Sequence, residues 1–295
     1  MPRPALSASR SVDVIDFLAA FPGRSFTLSE IARAAKINIA SCHAVLSTLV
    51  ERGYLARRAD QRTYCLGPAL VAVGDAALKG QPLVARAKEA AETLFREFDV
   101  PVLLSAVVGA EILGVVSIAD AAGRTPGLRV GERIPLVAPV GASFLAWSSE
   151  ETIEAWLDRS ASPRNERLAD EWRSALALIR QRGFQVTLHA PDSPHIASLM
   201  AEMASGRGLS SYKDEAISLI NSLEGRLSQS ETADPDELYD VALIAAPIFD
   251  QNGGAPFSLC LGGFAEKISG AAISAYADRL VRTCLQVMRD DRTQA

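Results

Sequence analysis

Three apolar stripes at the 3.6-residue spacing of a helix open the chain. Val14, Ile15, Phe17 and Leu18 form the first, Ile31, Ala32 and Ala35 the second, and Cys42, Val45, Leu46 and Leu49 the third. Ser9 or Ser11 stands where the first helix needs a cap, and Pro22-Gly23 ends it. Thr27 and Glu30 have the spacing of a capping box, so the second helix should begin at about Leu28. The pattern breaks around Lys36 to Ile39 and then resumes, which describes two short helices joined by a tight turn, a helix-turn-helix. After Gly53 the period drops to two, and residues 54–66 read as a β-hairpin around a polar tip.

A fourth helical stripe, Leu70, Val71, Val73, Ala77 and Leu78, follows Gly67-Pro68 and is interrupted by Gly80 and Pro82. It predicts a linker helix over 68–79 and a domain boundary beside Gly80. The chain then divides as a winged helix-turn-helix over 1–67, a linker helix over 68–80 and a second domain over 81–295. That domain opens with a helix at 83–98 and two strands, 102–108 and 112–118, joined through Gly109-Ala110. A loop rich in Gly, Arg and Pro leads to Pro139-Val140-Gly141-Ala142-Ser143 and a helix through Phe144 and Trp147. Ser148 and Glu151 suit the cap of the next helix, and residues 168–182 form another, with Leu176 and Ile179 inward and Gly183 ending it before a strand at 184–188. Helical patterns at 194–204 and 212–227 come next, then strands at 240–249 and 256–261 with a turn at Asn252-Gly253. A last helix over 271–288 covers the sheet, leaving the tail DDRTQA frayed. Helices layered on an antiparallel sheet make the second domain α+β.

The outward side of the third helix says what the first domain is for. Ala40, Ser41, His43, Ala44 and Ser47 are small or hydrogen-bonding, the residue types that let a helix enter the major groove and address base edges. Bulky apolar residues there would instead mean an ordinary helical hairpin buried in a core. Arg57, Arg58 and Arg62 at the hairpin tip suit phosphate contacts, and Arg3 and Arg10 form a basic arm ahead of the first helix. Charge supports this division. Residues 1–80 hold ten Lys and Arg against six Asp and Glu, a net of +4, so the rest carries −9 to give the overall −5. An acidic second domain is a poor nucleic-acid surface.

The segments SRSVDVIDFLAAF, TLSEIARAA, SCHAVLSTLVERGYL and YCLGPALVAVG, in this order, resemble the isocitrate lyase regulator (IclR) family of bacterial transcription factors. IPLVAPVGASFLA, IRQRGF and ALIAAPIFDQNG resemble that family's effector-domain signatures. The likeness omits about 188–235, which reads as an inserted helical segment. The resemblance implies a winged helix-turn-helix, a linker helix and a GAF-like effector-binding domain, assembled as a homodimer or homotetramer on a double-stranded DNA operator. It implies no cofactor and no catalysis. By the same resemblance, the effector site takes Gly141, Ala142, Ser143, Leu243, Cys260 and Gly262. Relatives that bind small polar oxo-acids are similar in carrying a Gly-Lys-Ala-like turn, a Cys and two alternating Ser at these places. The replacements shift the expected effector from a small anion to a larger apolar or aromatic carboxylate, with the carboxylate on the amides after Val140. In the third helix, the family's basic residue and Arg are Ile39 and Ala44 here, which leaves fewer polar base contacts and a larger share for shape readout.

Rival chemistry is sparse. His189, Asp192 and His195 do not make up a zinc ligand set. Ser210 and Lys213 have a Ser-x-x-Lys spacing without its companion motifs, and Gly141-Ala142-Ser143 lacks the second glycine of a nucleophile elbow. The remaining alternative is an enzyme or structural protein that uses a winged helix only as an interaction module. Cys42, Cys65, Cys260 and Cys284 have no metal-like spacing and read as reduced thiols. No apolar run reaches membrane-span length and the N-terminus has no export signal, so a cytoplasmic protein is expected.

Overall fold

The computed structural model describes residues 5–19, 21, 23–58, 60, 62–159, 166–189 and 233–292. They fall into two compact units, one within Met1–Gln81 and one beginning at Pro82. The helical patterns at 194–204 and 212–227, together with Arg3, His195, Ser210 and Lys213, lie outside the described residues.

The first unit contains α1 (Leu6–Ala19), β1 (Phe26–Thr27), α2 (Leu28–Ala34), α3 (Ile39–Glu51), β2 (Leu55–Arg58), β3 (Thr63–Leu66) and α4 (Ala69–Lys79). α2 begins at the predicted residue. The Thr27 side chain accepts from the Glu30 amide while the Glu30 carboxylate accepts from the Thr27 amide, so two free donors are satisfied reciprocally. The turn after α2 puts Lys36 in the left-handed region, and Asn38 caps α3 by accepting from the Ser41 amide at 2.8 Å. Val14, Phe17 and Leu18 of α1, Ile31 of α2 and Cys42, Leu46 and Leu49 of α3 close one core with Leu55 and Tyr64. Each fully buried side chain of this size contributes roughly 1.5–3 kcal/mol.

α1 starts earlier than the serines suggested. Ser9 and Ser11 lie inside it, and their hydroxyls donate back to the carbonyls of Ala5 and Ser7 rather than capping. Arg10 is therefore a half-buried helical residue, not part of a preceding arm. The hairpin forms with Arg57 opposite Tyr64 and Arg58 opposite Thr63, and β1 adds a short third strand on the β3 side.

The second unit is a six-stranded antiparallel sheet in the order β6-β5-β4-β10-β9-β7, built from β4 (Val102–Val108), β5 (Glu111–Ile118), β6 (Arg133–Pro135), β7 (Gln185–Leu188), β9 (Val241–Ile248) and β10 (Phe257–Gly262). A small pair, β8 (Leu238–Tyr239) and β11 (Ile268–Ser269), stands apart from it. Alternate residues serve two cores. On one face Leu104, Val116, Ile244, Ile248 and Leu259 pack against α5 (Pro82–Phe98) and α9 (Gly270–Arg292). On the other, Leu103, Ile112, Ala245 and Cys260 pack against α6 (Ala142–Leu145), α7 (Glu150–Leu157) and α8 (Glu166–Arg182).

Three local expectations shift. β6 is an edge strand inside what reads as a loop, because only three residues pair. The cap of α7 is Ser149, accepting from Thr152, one residue beyond Ser148. α9 runs through Asp290 and Asp291 to Arg292, so half of the tail taken as frayed is helical.

Candidate functional site

Two surfaces hold the residues singled out in the sequence. On α3 the buried side is Cys42, Leu46 and Leu49, which leaves Ile39, Ala40, His43, Ala44, Ser47 and Thr48 exposed and Ser41 half-buried. Ser41, His43 and Ser47 therefore share the accessible part of one helix. Thr48 also lies there, although its hydroxyl donates to the Ala44 carbonyl at 3.1 Å. Arg57, Arg58 and Arg62 are all exposed at the hairpin end. They are not one cluster, however. Arg57 and Arg58 are successive strand residues and leave opposite faces of the hairpin, while Arg62 sits in the turn with a left-handed backbone. Arg10 belongs to α1 and to neither group.

The second surface is the α6 side of the large sheet. Leu243 of β9 stands opposite Gly262 of β10, and Cys260 stands between Ala245 and Leu103 of the flanking strands. Above them Ala142 and Ser143 are buried in α6, and Gly141 turns the chain into it with a left-handed backbone. The left-handed backbone favours glycine here, and a Cβ on Gly141 would lie 2.2 Å from Leu136 Cδ1, so that side chain would also have to shift.

Buried polar side chains converge here. Ser105, Ser143, Gln185, Thr187 and Ser258 are all at least nine-tenths buried. The Ser143 amide donates to Gln185 Oε1 at 2.9 Å, and Gln185 Nε2 donates to Thr187 Oγ1 at 3.0 Å. The hydroxyls of Ser143 and Ser258 are 3.2 Å apart, and Ser258 Oγ donates to the Ala246 carbonyl. Ser258 Oγ also lies 3.7 Å from Cys260 Sγ. Burial pushes the Cys260 thiol up to about 11, only partly offset by its bonds to Ser258 and Ser105, so it stays neutral.

This geometry bears on two of the expected site positions. α6 is a single turn, and its Ser143 amide is already taken by Gln185, so a carboxylate after Val140 would have to displace that bond to use this amide. At Gly262 the space left by the missing side chain is occupied. A Cβ there would be 2.9 Å from the Ala242 carbonyl oxygen and 3.3 Å from Pro126, so the 119–132 loop fills the space. Ser258 and Gln185 are the residues that reading the sequence missed. The alternation Ser258, Cys260, Gly262 along one strand was the available signal for the first. For Gln185 the signal was weaker: a polar residue in an otherwise apolar strand.

Among the described residues no group of three or more His, Cys, Asp or Glu is placed to hold a metal ion. No helix among them is long and apolar enough to cross a membrane.

Residues 7–59 match the model of the IclR helix-turn-helix domain. The N-terminal unit is an IclR helix-turn-helix domain. The chain as a whole has the fold of solved IclR regulators. An IclR transcriptional regulator from Alicyclobacillus acidocaldarius aligns at a TM-score of 0.72 and 18% identity, over 97% of this chain and 99% of that one. An IclR homologue from Microbacterium hydrocarbonoxydans, solved in complex with 4-hydroxybenzoate, gives 0.65 and 18% over 97% and 99%. HmgR of Pseudomonas aeruginosa gives 0.62 and 19% over the same shares. No curated protein matches the sequence. Within this fold, α3 is the second helix of the helix-turn-helix and β2–β3 is the hairpin that follows it.

Proposed function

We propose that this chain is a ligand-responsive, DNA-binding transcriptional regulator, with α3 in the major groove and the wing arginines on the phosphate backbone. The observation that carries this is the solvent-facing row Ala40, His43, Ala44 and Ser47 on the second helix of an IclR helix-turn-helix domain. Small side chains let the helix approach, and the polar ones offer donors and acceptors to base edges. A regulator that works on the chromosome would act in the cytoplasm.

A homodimer or homotetramer fits α4. None of its residues is buried, and Val71, Val73 and Leu78 are 75%, 47% and 42% exposed. Two-fold pairing of this face would cover it and set two recognition helices about one turn of duplex apart, as an inverted-repeat operator requires.

The effector in this proposal is an apolar or aromatic carboxylate that binds over Leu243 and Cys260, under α6. Leu243 is only partly buried, Val140 and Trp147 lie at the edge of the same cluster, and the hydroxyls of Ser143, Ser258 and Thr187 can redirect to a ligand's polar end. The 4-hydroxybenzoate complex of a structural relative supports the same ligand class. Selection of fragments from random DNA, followed by mobility shift against an unrelated duplex, tests the DNA function. Failure to enrich any sequence would favour a winged helix used only as an interaction module, in an enzyme or a structural protein. For the effector, aromatic and apolar acids should raise Tm while glyoxylate and pyruvate do little; stabilisation by the small polar acids alone would overturn the ligand class.

A further inference from the structure

We infer that α3 reads thymine methyl groups through an apolar edge centred on Ile39, an inference that rests on the DNA-binding function proposed above. Ile39 is the first residue of α3 and is 51% exposed, a large β-branched side chain outside the set that closes the core below. Ala40 and Ala44, one turn apart, are exposed beside it. The cap bond from the Ser41 amide to Asn38 Oδ1 holds this first turn in place, so the apolar edge is presented by ordered backbone.

Position on the helix supplies the occupant. In a helix-turn-helix the N-terminal residues of the second helix face the base edges. The major-groove edge of a base pair is polar except at the C5-methyl of thymine, which apolar side chains contact. Two alanines leave no bulk to hold the backbone away from the groove, and Ile39 extends past them. The hydrogen-bonding side chains His43, Ser47 and Thr48 follow further along the same exposed arc. Methyl readout at the start of α3, with hydrogen-bond readout after it, replaces the polar contacts that a basic residue at position 39 would make. Local shape is then not the main source of discrimination at these base pairs.

The test uses the full chain and the duplex that it enriches from a random pool. Each thymidine is replaced in turn by deoxyuridine, which removes only the methyl group, and equilibrium binding is measured at fixed salt. One position per half-site should lose about four-fold in affinity, the factor that corresponds to about 0.8 kcal/mol for one buried methyl-sized group. Ile39→Ala should bind the thymidine and deoxyuridine duplexes alike at that position and keep its response to substitution elsewhere. The inference is overturned if no deoxyuridine weakens the parent, or if Ile39→Ala preserves the four-fold ratio. Failure to enrich any duplex is a different outcome, since it removes the DNA-binding proposal itself.

Discussion

Replacing Gln185 by Leu should destabilise the second unit by about 1–3 kcal/mol, because the side chain joins α6 to the edge of the sheet. Gln185 is 7% exposed on β7; its carbonyl accepts from the Ser143 amide, and its NH2 donates to Thr187. Leucine fills a similar volume but leaves the Ser143 amide buried without an acceptor, which costs about 1–3 kcal/mol. The Thr187 hydroxyl loses a donor but can rotate, so its share is smaller. The three tryptophans of the chain, Trp147, Trp156 and Trp172, all belong to this side of the sheet, and tryptophan fluorescence follows this unit's unfolding alone. With a urea m-value of ~2 kcal/mol per molar, the midpoint should fall by roughly 0.5–1.5 M. Thr187→Val should cost less, and the two changes should couple by at least about 0.5 kcal/mol in a double-mutant cycle. Gln185→Glu adds a check with a definite sign. It keeps an acceptor for Ser143 but buries a carboxyl, whose pKa rises above its unfolded value. The folded state then holds the extra proton, so this variant should be closest to the parent at low pH and lose stability as pH rises through the raised pKa. An unchanged midpoint for Gln185→Leu, with equal slopes, would refute the idea that this amide holds α6 on the sheet.

Changing Arg57, Arg58 and Arg62 together to Ala should weaken binding to all duplexes, measured as log affinity against log salt. The slope should shrink by about 0.9 per lost contact. Since Arg57 and Arg58 face opposite ways, a loss equal to one or two contacts is expected, and an unchanged slope would remove the wing from the interface. Replacing both Val73 and Ala77 on α4 with Glu should shift light scattering at micromolar concentration toward the monomer; a parent that is already monomeric would end the pairing proposal. Hydrogen bonds from the Thr27 amide and hydroxyl hold the Glu30 carboxyl below its usual 4.5. Its contribution to stability is thus present above that value and fades as pH falls through the lowered pKa, so NMR titration should find it low in the parent and higher in Thr27→Val.

The first unit was legible because its determinants are local. Thr27 and Glu30 name a helix start within four residues, the switch in period after Gly53 announces the wing, and α4 ends where Gly80 stands. The miss in that unit has a local cause too. Serine is a good cap, but Ser9 and Ser11 can bond to a carbonyl one turn back, and residues from Leu6 onward already sustain a helix. In the second unit, strand positions followed from alternation, yet β6 did not, since three residues are too few to show a period.

The candidate effector face was legible only as a set of positions, because what each position does depends on chain that crosses it from elsewhere. Leu243, Cys260 and Gly262 lie on one face as their spacing requires. Treating them as replaced side chains gives a face stripped of hydroxyls, and the structure supplies hydroxyls from Ser258 two residues before Cys260 on the same strand, from Ser105 and Thr187 on other strands and from Ser143 of α6. Gly262 shows why composition alone misleads. Its missing side chain is where Pro126 passes, more than a hundred residues earlier in sequence, so the hydrogen there meets a packing demand. The same holds for the Ser143 amide, free by sequence and engaged by Gln185 in the fold. A ligand that uses this face must therefore exchange hydrogen bonds with an existing network instead of filling vacant donors. Burial of its apolar part over Leu243 and Cys260, at about 25 cal/mol per Å², has to supply most of the affinity. That balance favours an aromatic or apolar body with few polar atoms over a compact anion.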